Sequence, residues 1–176
     1  MLHKIGALTS APMIVLTLLL VTACSGPSES RAASAGADAL TGAWRARLQF
    51  SDGALAKVTD LEFLYVFNQG GTMTESSNYD GAPPVPPAYG VWRATGPNQF
   101  EATYVYFNSK APAHLDELIQ GGGWLPAGRG VITERLTLAL DGQSFDSSMV
   151  LDLVDQAGVH ADGGGHATGH GTRIRF

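Results

Sequence analysis

The chain predicts an all-β domain: an up-and-down antiparallel barrel of about eight strands. Three observations carry that reading. Short runs rich in aromatic and β-branched residues alternate between apolar and polar positions. Clusters of Gly, Pro, Asn and Asp separate them. The runs count to about eight with mostly short connections, which suits a sheet closed on itself with no exposed edge. A two-sheet β-sandwich is the alternative, because a strand count alone does not distinguish the two.

The chain has 176 residues, one Cys, and 11 basic against 16 acidic side chains. It opens on Met1-Leu-His-Lys4, followed by an apolar run densest from Met13 to Val21. That run is too short to span a bilayer comfortably and suits the core of a secretory signal. It ends in Val21-Thr22-Ala23-Cys24, which resembles the lipobox of bacterial lipoproteins. The resemblance implies cleavage before Cys24 and acylation of that residue with chains of the palmitate kind. It also implies an extracytoplasmic protein held on the bilayer of a bacterial envelope. Ser25 after the Cys points to the outer membrane if the cell has one. An ordinary signal peptide with an incidental Cys24 is the alternative. A lone thiol in an exported chain has no disulfide partner, and lipidation explains it.

The expected organisation is a signal peptide over 1–23, a flexible tether over 24–39 and one barrel domain over 40–176. The tether is rich in Ser, Ala, Gly and Pro and lacks apolar periodicity. Loss of residues 1–23 removes one charge, Lys4, and takes the formal charge from −5 to −6. That balance argues against nucleic acid as a partner.

Within the domain, Ala43 to Phe50 places Trp44, Ala46, Leu48 and Phe50 on one face and Arg45, Arg47 and Gln49 on the other, a half-buried strand. Leu61 to Phe67 follows with Leu61, Phe63, Tyr65 and Phe67 in one phase. It is apolar in the other phase too, at Leu64 and Val66, and is expected to be central or covered. Asn68-Gln-Gly-Gly71 supplies a hairpin turn, and Thr72 to Ser77 returns as a polar strand. The proline-rich stretch within 78–88 reads as a loop, because proline lacks the ladder donor. Tyr89 to Ala94 and Phe100 to Phe107 are strands around a Gly96-Pro97-Asn98 turn. Phe100, Ala102, Tyr104 and Tyr106 share one face of the second. A second insert is expected over 108–128, with a short helix near 113–119 carrying Leu115, Leu118 and Ile119 on one side. Val131 to Leu140 and Ser144 to Val154 form a hairpin around Asp141-Gly142. After Asp155 the chain is Gly-rich, and alternation resumes at Thr172 to Phe176.

Gly42-Ala43-Trp44 and a late basic residue, Arg173 or Arg175, resemble the lipocalin or calycin superfamily, in which a Gly-x-Trp opens the barrel and an Arg lies over the Trp. The resemblance implies that Trp44 is a buried keystone at the closed end, with Arg173 or Arg175 stacked on it. More broadly, Tyr89-Gly-Val-Trp92, Gly96-Pro-Asn-Gln-Phe100 and Gly171-Thr-Arg-Ile174 are similar to small bacterial barrel proteins. The middle and later lipocalin motifs and the C-terminal helix are missing.

No nucleophile elbow or phosphate loop is present, so no catalytic residue is assigned. His160, His166 and His170 invite a metal. Residues four apart on a strand lie about 13 Å apart, so a shared ion would need the Gly-rich segment to fold as a loop. No metal or other cofactor is assigned. Most aromatics belong to the core, but Phe63, Tyr65, Trp92, Tyr104 and Tyr106 are candidates to line a ligand pocket. Glu101 and Glu134 sit mid-strand, and either one pointing inward needs a partner such as Arg93 or Arg135. The leading expectation is a lipid-anchored barrel binding a small apolar or amphipathic ligand. An envelope protein-interaction module with a filled barrel is the alternative. A barrel cyclase or isomerase ranks below both.

Overall fold

The computed structural model of the chain describes residues 39–79, 86–114, 116–120 and 123–176. The signal run, Cys24, the tether as far as Asp38 and the centre of the proline loop lie outside them. Eight strands follow in order: β1 (Gly42–Phe50), β2 (Leu61–Phe67), β3 (Thr72–Ser77), β4 (Ala88–Gly96), β5 (Gln99–Lys110), β6 (Leu125–Leu138), β7 (Ser144–Val154) and β8 (His160–Arg173). Each pairs antiparallel with the next, and β8 pairs back onto β1 from Trp44↔Arg173 to Phe50↔Ala167. The sheet is a closed barrel and not a sandwich.

Side-chain alternation sets the register. Trp44 opposes Tyr65 and Ala46 opposes Phe63 across β1–β2, so the apolar phases of both strands fall inside together. Trp44, Ala46, Leu48 and Phe50 are buried, while Arg45, Arg47 and Gln49 are exposed. The interior phase of β5 is Phe100, Ala102, Tyr104 and Tyr106. Leu64 and Val66 of β2 are exposed, against the expectation of a covered strand. Closure explains this: every strand has two neighbours, yet each still turns one face to solvent.

The largest departure is at the C-terminus. The Gly-rich segment is itself β8, and only its end was expected to be strand. Its inward residues are Gly163, Gly165, Ala167, Gly169 and Gly171. A Cβ on Gly171 would sit 2.2 Å from the Phe145 ring, and one on Gly169 would sit 2.6 Å from Ser147 Oγ. Large rings from the other strands occupy the interior, and β8 supplies the small side that lets them fit. Likewise β6 begins at Leu125, with Gly130 under the Tyr106 ring, so the second insert is shorter than expected. Its helix is a single turn, α1 (Asp116–Ile119), on which Ile119 is exposed.

The two ends of the barrel differ. At the end carrying the 68–71, 97–98 and 139–143 turns, rings close the interior. Trp44 and Phe145 lie 5.2 Å apart, and Phe67, Trp92 and Phe100 continue the layer edge to face. Leu40 caps it, fully buried, and its carbonyl accepts from Trp44 Nε1 at 2.8 Å. At the other end the β1–β2 connection folds over the mouth. Ala54 N donates to Gly163 O at 3.0 Å, Ser51 N to His166 O at 2.8 Å, and Leu55 and Val58 pack onto the core.

Candidate functional site

A cavity of about 250 Å³ occupies this mouth. Its walls are the last inward side chains of seven strands and the covering loop, among them Phe50, Leu55, Leu61, Phe63, Tyr106, Ile132, Leu151 and Leu153. The alternation that fills the closed end with rings thins out here, where aliphatic residues and Gly163 replace them. A wider depression of about 620 Å³ lies on the outer wall among Gln49, Thr133, Arg135, His166 and Thr168. Most of its lining is outward side chains, with the buried Met149 and Ala167 beneath them.

The cavity's distinctive polar group is Glu75. It alternates with Met73 and Ser77 on β3, a phase that the closed sheet turns inward. The residue is 6% exposed, and its Oε1 has no hydrogen-bond partner among the described residues. Burial, reinforced by the charge of Glu134, raises its carboxyl to about 8. Tyr106, across the cavity, is pushed up to about 12 by burial and by Glu75.

One layer deeper lies Glu134, fully buried. Tyr104 donates to its Oε2 at 2.8 Å and Tyr65 donates to the same oxygen at 3.1 Å. Ser147 Oγ is buried nearby without meeting hydrogen-bond geometry, yet close enough to favour the carboxylate. Desolvation outweighs these contacts and raises the Glu134 carboxyl. The same burial lifts the Tyr65 and Tyr104 hydroxyls well above their ordinary range.

The sequence candidates therefore separate. Phe63 and Tyr106 line the cavity, while Tyr65 and Tyr104 are not in its lining and instead hold Glu134 in the core. Trp92 does not reach it. It belongs to the ring layer at the opposite end, where its Nε1 donates to Asn68 O and Thr72 O, both at 3.1 Å. The length of the barrel separates it from Phe63 and Tyr106. Glu134 points inward as one of two possibilities foresaw, but tyrosines answer it, not an arginine. Glu101 points outward and pairs with Arg93 at 2.8 Å. Glu75 was missed. Its signal was available, since Met73 and Glu75 share a phase, but a strand of mostly polar residues does not announce which phase is buried.

Trp44 is fully buried, and Arg173 lies over its ring with the guanidinium carbon 4.2 Å from the centroid. Arg175 is exposed and hydrogen-bonded to Gln143. His166 and His170 point outward from β8 and meet Asp52 at 3.1 Å and Asp146 at 2.8 Å. Among the described residues no three His, Cys, Asp or Glu side chains gather as a metal site.

Compared with protein-family models, curated proteins and solved structures, the chain has no match in any of the three.

Proposed function

We propose that this chain is a lipid-anchored, extracytoplasmic barrel protein that holds a small apolar or amphipathic molecule at the mouth of its barrel. One observation carries the binding half: a 250 Å³ hollow with apolar walls, lined by a buried carboxyl whose Oε1 has no hydrogen-bond partner among the described residues. Protein interiors pack to near crystalline density, so a space of this size inside a small barrel is unusual for a structural core. Small-molecule sites are concave and mostly apolar with a few placed polar groups. The volume lies just below the usual range for such sites, so the ligand is small.

The anchor rests on Val21-Thr22-Ala23-Cys24 following the apolar run. Gly42-x-Trp44 under Arg173 supports kinship with lipocalin-like barrels. The ring-filled end suits the alternative of a structural or protein-interaction module, whereas the hollow mouth favours a ligand. Ser77 lines the cavity with Glu75, but among the described residues no hydroxyl hydrogen-bonds to Glu75 Oε1, so binding is the reading in preference to turnover.

Two measurements test the two halves. Hexan-1-ol titrated onto the protein should raise its unfolding temperature, and Leu153→Trp at the cavity rim should abolish that rise while the fold persists. A rise unaffected by the filled cavity would place binding elsewhere. Mass spectrometry of native membranes should find Cys24 acylated at the mature N-terminus, and Cys24→Ser should release the protein from the membrane fraction. An unmodified Cys24 would remove the anchor.

A further inference from the structure

We infer that the mouth cavity selects a small amphipathic amine, with Glu75 as the group that receives its charged head. The inference rests on the binding reading above and adds the chemistry of the ligand. It comes from an imbalance inside the barrel. Two carboxyls, Glu75 and Glu134, lie on the interior face, and among the described residues no basic side chain accompanies them. Among the described residues every Lys and Arg is exposed except Arg173, and Arg173 is engaged at the opposite end with backbone carbonyls. Arg45, Arg47 and Arg93 pair with Glu62 and Glu101 on the outer wall.

The two carboxyls are not equivalent. Glu134 is held by two tyrosine hydroxyls, whereas Glu75 lines the cavity and its buried Oε1 has no partner among the described residues. A buried polar atom left unsatisfied is costly, and native structures keep few of them without a function. Each head-group class meets this site differently. A carboxylate ligand would bury a negative charge where, among the described residues, no basic side chain balances it. A wholly apolar ligand would leave Oε1 unsatisfied. An ammonium group carries up to three donors and a charge opposite to the carboxylate it would meet. The Tyr106 hydroxyl and the Phe63 ring line the same space and can take a further hydrogen bond and a cation–π contact. The hollow equals about eight water volumes, which suits a body of roughly six carbons.

Three probes of equal length and different heads decide the matter: hexylamine, hexan-1-ol and hexanoate. They are titrated calorimetrically at pH 7 onto the full chain in a detergent too bulky to enter the cavity. Hexylamine should bind at least tenfold more tightly than hexan-1-ol, and hexanoate should show no binding. Repeating the amine titration in two buffers of different ionisation enthalpy should show close to one proton released per amine, as Glu75 ionises against the ligand. Glu75→Gln should retain the alcohol and lose the tenfold preference. If the alcohol binds as tightly as the amine, or the preference survives Glu75→Gln, the head-group assignment falls and the hollow still stands as a binding site. If none of the three binds, both readings fall together. The wild-type ranking is decisive even if Glu75→Gln does not fold.

Discussion

The guanidinium of Arg173 lies 4.2 Å over the Trp44 ring and at the same time gathers the chain entering the barrel. Its Nη1 donates to Thr41 O at 2.7 Å, Nη2 to Ala39 O at 2.6 Å and Nε to Gly142 O at 3.1 Å. First and last strands are paired at this point, Trp44 opposite Arg173. Gly42 makes the approach possible, since a Cβ there would stand 2.8 Å from Nη1 and its φ is +130°. Trp44→Ala should cost about 3–5 kcal/mol by loss of a fully buried indole. Arg173→Lys keeps the charge but loses the planar fork, and should cost about 1–2 kcal/mol. Urea unfolding midpoints of the two variants measure both. An Arg173→Lys variant as stable as wild type would show that the fork does not close the barrel.

The small interior side of β8 is a packing requirement. Gly171→Ala puts a methyl against the Phe145 ring, which is clamped between Trp44 and Tyr65. It should destabilise by about 1–3 kcal/mol. Thr168→Ala, one strand position from Ala167 but facing outward, should change stability by less than about 0.5 kcal/mol. Equal effects at the two sites would mean that β8 tolerates bulk on its inner face.

Stability should fall as pH rises through the neutral range. The Glu75 carboxyl ordinarily titrates near 4.5 and is raised to about 8 when folded. Between these values the folded state holds a proton that the unfolded state has lost, so unfolding becomes easier with increasing pH. The contribution is complete below about 4.5 and gone above about 8, with a slope of at most about 1.4 kcal/mol per pH unit. Glu134 is shifted in the same direction. Asp52, Glu62 and Glu101 are shifted downward by their hydrogen bonds and act oppositely, but only in acid. Denaturant unfolding at pH 5, 6, 7 and 8 should show this decline, and Glu75→Gln should make it shallower. A profile that is flat or rising over that range would contradict the burial of an unpaired Glu75.

Tyr104→Phe tests the layer under the cavity. It removes the 2.8 Å donor to Glu134 while leaving the ring, so the carboxyl loses its shortest hydrogen bond and keeps the Tyr65 donor. The expected cost is about 1–3 kcal/mol. Replacing Glu134 with Gln in the same background should recover part of it, because the carboxyl that lost its donor is then absent. Additive losses from the two changes would show that Tyr104 and Glu134 are not coupled.

Local rules determined much of this molecule. The alternation of Trp44, Ala46, Leu48 and Phe50, of Leu61 to Phe67 and of Phe100 to Tyr106 follows from the two-residue period of a strand, and the Gly and Asp turns follow from backbone sterics. Eight such runs with short connections made an all-β barrel legible, and the first and last strands then had to meet, which brings a C-terminal Arg to Trp44. Three things only closure decided. Glycine is a poor strand former by propensity, yet β8 is a strand because the space opposite Phe145 and Leu48 admits nothing larger. The inward phase of β3 cannot be read from Thr72 to Ser77, since a polar strand buries whichever face its neighbours turn in, and that choice placed Glu75 inside. Trp92 and Tyr106 are both aromatic residues on adjacent strands, but one fills the stoppered end and the other lines the hollow. Which end is packed depends on the summed volumes of side chains from eight separate segments, a quantity that no single stretch of sequence contains.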